Sequence, residues 1–193
     1  MRTRILTSFI LLMTAAVLWA DDKPAAKADA PPAGDKGAAM IGEPREQTLA
    51  SRTILFASRE TTFDKLLDTI NDILPKLMAA VRENKTPVAG SVIFIYHGVN
   101  PTDNKPFTLD IGIVVEADAK AAGDFKVKKL EPFRCDTILL SGPVSAIGQA
   151  YEKLMPAVMA KKHEPIGEVR EAYLYWEGPE SANNVVQIQM GIK

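Results

Sequence analysis

The segment Arg170-Glu-Ala-Tyr-Leu-Tyr-Trp-Glu177 places Glu171, Tyr173, Tyr175 and Glu177 at every second position. In an extended strand alternate side chains share a face, so two carboxylates and two phenols would line one wall. Aromatic faces attract cations and stack on flat molecules, worth roughly 0.5–2 kcal/mol each depending on desolvation. A carboxylate in an apolar recess either pairs with a cationic ligand or has its pKa raised and becomes a candidate general acid or base. The same residues could instead form a solvated strand face with amphipathic tyrosines. Alternation alone leaves both readings open.

Other chemistry is thin. His97 and His163 are the only histidines, and neither belongs to a Cys cluster or an H-E-x-x-H motif, so no metal site is expected. Cys135, the single cysteine, cannot form an internal disulfide and reads as a buried, inert thiol. Gly142-Pro143 and Gly178-Pro179 are turn signals rather than phosphate loops or nucleophile elbows. No cofactor is implied.

The elements that would position the alternating segment follow from periodicity. Arg52 to Ser58 is a short apolar run of strand type. Thr61 or Thr62 can cap a helix whose stripe runs Phe63, Leu66, Leu67, Ile70, Ile73, Leu74, Leu77, Met78 and Val81. Pro75 should kink it. Val92 to Tyr96 and Phe107 to Val115 read as strands, the latter with clean alternation. The order then recurs: strands at Phe125–Leu130 and Cys135–Ser141, a helix marked by Ile147, Tyr151, Leu154 and Val158 with Pro156 inside it, and strands at 168–177 and 185–192.

Three landmarks recur with the elements. Leu74-Pro-Lys-Leu-Met-Ala79 matches Met155-Pro-Ala-Val-Met-Ala160, Pro87-Val-Ala89 matches Pro165-Ile-Gly167, and Ile111-Gly-Ile113 matches Met190-Gly-Ile192. The pattern predicts an α+β domain of duplicated strand–helix–strand–strand units, repeat 1 over about 46–118 and repeat 2 over about 124–193. Such units form an antiparallel sheet with two helices on one face and, by this reading, a ligand groove on the other. Val186, Ile188, Met190 and Ile192 would lie under the helices, with Gln187 and Gln189 toward the groove. Thr108 and Asp110 are their counterparts. The wholly apolar set Ala172, Leu174 and Trp176 is assigned to the helix side, which leaves Glu171, Tyr173, Tyr175 and Glu177 in the groove with Ile93, Ile95 and His97.

The chain of 193 residues has a formal net charge of −1, 47 % hydrophobic and 24 % charged residues, close to a soluble globular average. Nothing in this balance points to nucleic acid. Arg2 and Arg4 precede an apolar run from Ile5 to Trp19, which reads as a signal peptide over 1–20 with cleavage after Ala20. Periplasmic or secreted localisation follows, with membrane attachment only if that segment stays uncleaved. Residues 21–45, rich in Ala, Pro, Asp and Lys, read as a disordered linker, and 46–193 as the domain.

Ser141-Gly-Pro143, Gln149-Ala-Tyr-Glu-Lys-Leu154 and Val169-Arg-Glu-Ala-Tyr-Leu-Tyr-Trp-Glu-Gly178 resemble the GyrI-like family, which includes the effector-binding domains of AraC- and MerR-type transcription activators. The resemblance spans about 50–193 and is most specific in the second half. It implies the duplicated fold, a small cationic or aromatic ligand bound between the repeats, and Glu171 as the pocket glutamate. Departures from the family pattern are Val144 after the Gly-Pro, Gln187 or Gln189 where an acidic residue is common, and Gly191 in place of a proline. An export signal stands where the regulators carry a DNA-binding module. The resemblance also implies an alternative: hydrolysis of a strained or electrophilic small molecule, with Glu171 as base (Glu177 being the other candidate) and Tyr173 as hydrogen-bond donor. A groove that holds a peptide or protein partner is a third reading.

Overall fold

The computed structural model describes residues 38–99 and 105–193. The expected signal segment and most of the expected linker lie outside these residues. Strands begin before the boundary expected at residue 46: β1 (Met40–Ile41) and β2 (Arg45–Leu49) both pair with a later strand. The first repeat comprises β3 (Arg52–Thr61), α1 (Leu66–Glu83), β4 (Val88–His97) and β5 (Phe107–Val115). The second is preceded by β6 (Lys126–Leu130) and comprises β7 (Phe133–Ser141), α2 (Ile147–Ala160), β8 (Pro165–Tyr175) and β9 (Val185–Ile192). Among the described residues these nine strands form one antiparallel sheet with the two helices packed on it, the duplicated α+β architecture expected.

The order β7-β9-β8-β4-β5-β3 is symmetric about the β8–β4 junction. Phe94 lies opposite Glu171 there, and Tyr96 opposite Val169. Gly112 and Gly191 occupy equivalent places in β5 and β9. Counting three residues back from each gives Leu109, paired with Tyr96, and Ile188, paired with Glu171. Tyr96 and Glu171 are therefore related by the approximate twofold axis. An added Cβ on Gly112 would approach the Leu55 carbonyl oxygen to 2.9 Å, so that glycine lets two strands approach closely.

The outer edges of the sheet are not left open. Leu49 lies opposite Phe133, and the same register resumes at Arg52 opposite Leu130. Thus β2 runs on into β3 and β6 into β7, and the two long strands pair with each other. This crossing covers the side away from the helices. Ile54, Ile93, Ile95, Val114 and Leu130 bury themselves there as a second apolar cluster.

Each helix has an apolar face on the main core: Leu66, Ile70, Ile73, Leu74 and Leu77 from α1, and Ile147, Ala150, Leu154 and Val158 from α2. The first helix starts with a 3-10 turn at Phe63–Lys65 whose N-cap position is Thr62. Pro75 and Pro156 do not end their helices. Both are exposed, so the helix hydrogen bond each removes is lost on the side where water can replace it.

Candidate functional site

Period two places Val169, Glu171 and Tyr173 of β8 on one face, and their neighbours in β4 on that face are Phe94 and Tyr96. This is the helix side. The expectation that Glu171 and Tyr173 face away from the helices, with Ala172 beneath them, is thus reversed, whereas Trp176 does pack against the helix-side core and Leu174 edges the cavity there. Two physical causes act together. The crossing strands bury the far side as well, so Ala172 is 1 % exposed there and apolarity no longer marks the helix side. The register of β8 also shifts between Tyr173 and Tyr175, which turns the following residues out of phase. Leu174 is consequently exposed and Trp176 half-buried.

Glu171 is 3 % exposed and accepts three hydrogen bonds, all from tyrosines. Tyr151 of α2 donates at 2.8 Å to one carboxylate oxygen; Tyr96 and Tyr173 donate at 3.0 and 3.1 Å to the other. Burial raises the Glu171 pKa, and the three hydroxyls oppose that rise. Burial, followed by the Glu171 charge, pushes all three phenols well above their usual value, so they remain donors. Among the described residues no lysine, arginine or histidine pairs with this carboxylate.

Beside this cluster lies a cavity of about 370 Å³, within the range of small-molecule sites. It lies on the helix side, not in the groove expected opposite. Leu67, Ile70, Leu74 and Met78 of α1 form one wall, and Val92 and Phe94 of β4 lie on the sheet side. Tyr173, Leu174, Tyr175 and Trp176 form the opposing aromatic edge, closed by Val144 and Pro179. Phe94 and Tyr173 rings stand 5.0 Å apart and Tyr173 meets Trp176 edge-on at 5.6 Å. Tyr173 therefore connects the cavity to Glu171. Tyr175 and Glu177 are at the exposed end of the strand, joined by a 2.7 Å hydrogen bond.

The remaining expected site residues lie elsewhere. Ile93 and Ile95 are fully packed on the far side, 3 % and 0 % exposed. That side is filled by the protein's own side chains, not open as a groove. Asp110 is buried there in an ionic cluster: His97 contacts it at 2.8 Å, Lys128 at 2.5 Å, and Ser58 donates to its other oxygen. Burial would raise its pKa, but hydrogen bonds from His97, Lys128 and Ser58 hold it at about 2. Bonds to Asp110 and then to Glu168 raise His97 to about 9. Gln189 is buried and donates to Gln187 at 2.9 Å. None of these six residues lines the cavity.

Sequence reasoning missed Tyr96, Tyr151, Phe94 and Trp176 as site components. Tyr151 was readable only as part of the α2 apolar stripe; its signal is a phenol on a buried helix face, which needs a polar partner. Asp136 on β7 is also buried but is bound by Lys161 and His163 at 2.6 Å each, a tie between the sheet and the turn that follows α2. Cys135 is buried, and burial raises its thiol to about 11. Among the described residues no group of three or more His, Cys, Asp or Glu side chains is arranged to hold a metal ion.

A duplicated unit with a partly open aromatic cavity beside a tyrosine-bound glutamate defines a small-molecule-binding domain. The fold recurs in solved structures. The EcmrR C-terminal domain matches with a TM-score of 0.66 at 17 % identity, covering 80 % of this chain and 99 % of that one. SAV2435, solved bound to tetraphenylphosphonium, matches with a TM-score of 0.55 at 14 % identity over 78 % of this chain and 94 % of that one. A conserved protein from Listeria innocua gives a TM-score of 0.56 at 11 % identity over 78 % and 92 %. At such identities the likeness is one of fold. No curated protein matches the sequence. The chain belongs to the GyrI-like small molecule binding domain family, whose model matches residues 42–193.

Proposed function

We propose that this protein is an exported binder of lipophilic, aromatic cations, with the ligand in the helix-side cavity and its charge drawn toward Glu171. The observation that carries this reading is a buried carboxylate bonded only to neutral hydroxyls, next to an apolar aromatic cavity. A buried charge without a counter-charge is costly, and a bound cation would supply the missing charge. Phe94, Tyr173, Tyr175 and Trp176 offer rings for cation–π contact and stacking. SAV2435, similar in fold, is itself a binder of such a cation. Export rests on the sequence alone: basic residues followed by the apolar run Ile5 to Trp19.

Both oxygens of Glu171 are already occupied by phenols, which favours binding over general-base hydrolysis. The cavity suits a compact molecule better than an extended peptide.

Titration with tetraphenylphosphonium, followed by Trp176 fluorescence and by thermal unfolding, tests the reading. At 100 times the dissociation constant the ligand should add about 2.7 kcal/mol of stability. Glu171→Gln should weaken binding at least about tenfold, or roughly 1.4 kcal/mol. Absence of binding, or equal binding by the variant, would refute it. Fractionation of cells making the full chain tests export; retention of all the protein in the cytoplasm would overturn that part.

A further inference from the structure

We propose that the preferred ligand carries two cationic ends, and that Glu177, bonded to the cavity-lining Tyr175 on its solvent side, selects for the second. This rests on the binding reading above and makes it more specific. A phenol–carboxylate pair occurs twice, once within β8 and once where the chain leaves it. Tyr173 lines the cavity and donates inward to Glu171, whereas Tyr175 lines it and donates outward to Glu177. The outer carboxylate is held in place from several directions. Ser181 Oγ donates to it at 2.7 Å and Asn183 Nδ2 at 2.9 Å. Asn184 Oδ1 accepts from the Glu177 backbone N–H, and its Nδ2 donates to the Gly178 carbonyl. Trp176 and Pro179, on either side of Glu177 in the chain, both line the cavity.

The cavity therefore has an apolar, aromatic body; neither carboxylate lines it, but each accepts from a tyrosine that does, Glu171 from Tyr173 on the buried side and Glu177 from Tyr175 on the solvent side. A compact monocation can fill the body, but it leaves Glu177 facing solvent. Six residues at about 3.3 Å each bound the separation of the two backbone positions at about 20 Å. The second charge must accordingly sit on a tether, extended from an aromatic head toward the mouth. Among the described residues no basic side chain forms an ion pair with Glu177.

The test uses matched probes: alkyl-triphenylphosphonium salts whose tails, of about four to ten carbons, end in either methyl or trimethylammonium. The wild-type protein should bind the dicationic member of one tail length about three- to fivefold more tightly than its methyl twin, the scale of an exposed ion pair. That preference should fall as salt is raised. In Glu177→Gln it should vanish while affinity for the methyl probe stays within about twofold. Equal affinities at every tail length, or a preference that survives in Glu177→Gln, would overturn the proposal. If the methyl probe binds and depends on Glu171, that result refutes only the two-ended ligand. If the methyl probe does not bind at all, the underlying binding reading fails with it.

Discussion

Two buried carboxylates on opposite sides of the sheet, Asp110 and Glu171, have their charge treated in opposite ways. Asp110 has a lysine, a histidine and a serine on its two oxygens. Glu171 has three phenols and, among the described residues, no basic partner. The first arrangement is complete, because charge is matched within the protein and the group ties β5 to β3, β4 and β6. The second is complete in hydrogen bonds but not in charge. A buried acid alone is therefore no guide to a site; its partners decide whether it holds the fold together or awaits a ligand.

Exchange of each acid for its amide tests that contrast most strongly. Asp110→Asn should lower unfolding stability by about 2–3 kcal/mol and leave cation affinity within about twofold. The value lies below the usual range for a broken buried pair because Lys128 and His97 retain contact with water. Glu171→Gln should do the reverse, with stability unchanged within about 1 kcal/mol or raised, since it removes a desolvated charge without orphaning a cation. Denaturant unfolding of both variants is the measurement, and equal destabilisation would break the comparison.

The pH dependence of stability should differ between the two sides. His97 has a folded pKa of about 9, above its ordinary 6.5. Its contribution is therefore full below pH 6.5 and is lost as pH rises through 9. Asp110, depressed from 3.8 to about 2, contributes above its ordinary value and loses that contribution as pH falls through 2. Stability from this cluster should peak between about pH 4 and 6.5. His97→Gln should flatten the alkaline decline, by about 1–2 kcal/mol once solvent screening of a partly exposed ring is allowed for. An unchanged alkaline limb would exclude His97 as its source.

Glu171 is shifted upward, so cation binding should weaken on acidification, beginning above the ordinary carboxylate range. Tyr151→Phe removes one of the bonds that restrain this rise. It should move the acid edge of binding to higher pH. An edge that stays in place would show that Tyr151 does not share the charge.

The alternation between Arg170 and Glu177 was legible in the sequence, and so were the duplicated units. Which side of the sheet the acid occupies was not. Alternation separates two faces, but choosing the inner one requires that only one be dry. Here Ile93, Ile95 and Ala172 are dry on one face, and Phe94, Tyr96 and Glu171 on the other. The tyrosines around Glu171 come from three elements, β4, α2 and β8, and a single strand pattern carries no trace of such convergence. The shift after Tyr173 is likewise a property of pairing with β9, absent from local composition.

The reciprocal pairing of the two long strands has a consequence for how the molecule is made. Arg45 meets Thr137, ninety-two positions away, and each repeat is finished by a strand from ahead of the other. Neither repeat completes its sheet without a strand that precedes the other, and closure of so long a loop costs entropy before any contact compensates it. Folding should thus be slow and all-or-none. Fragments cut between residues 118 and 124 should stay unfolded apart and regain structure only when mixed.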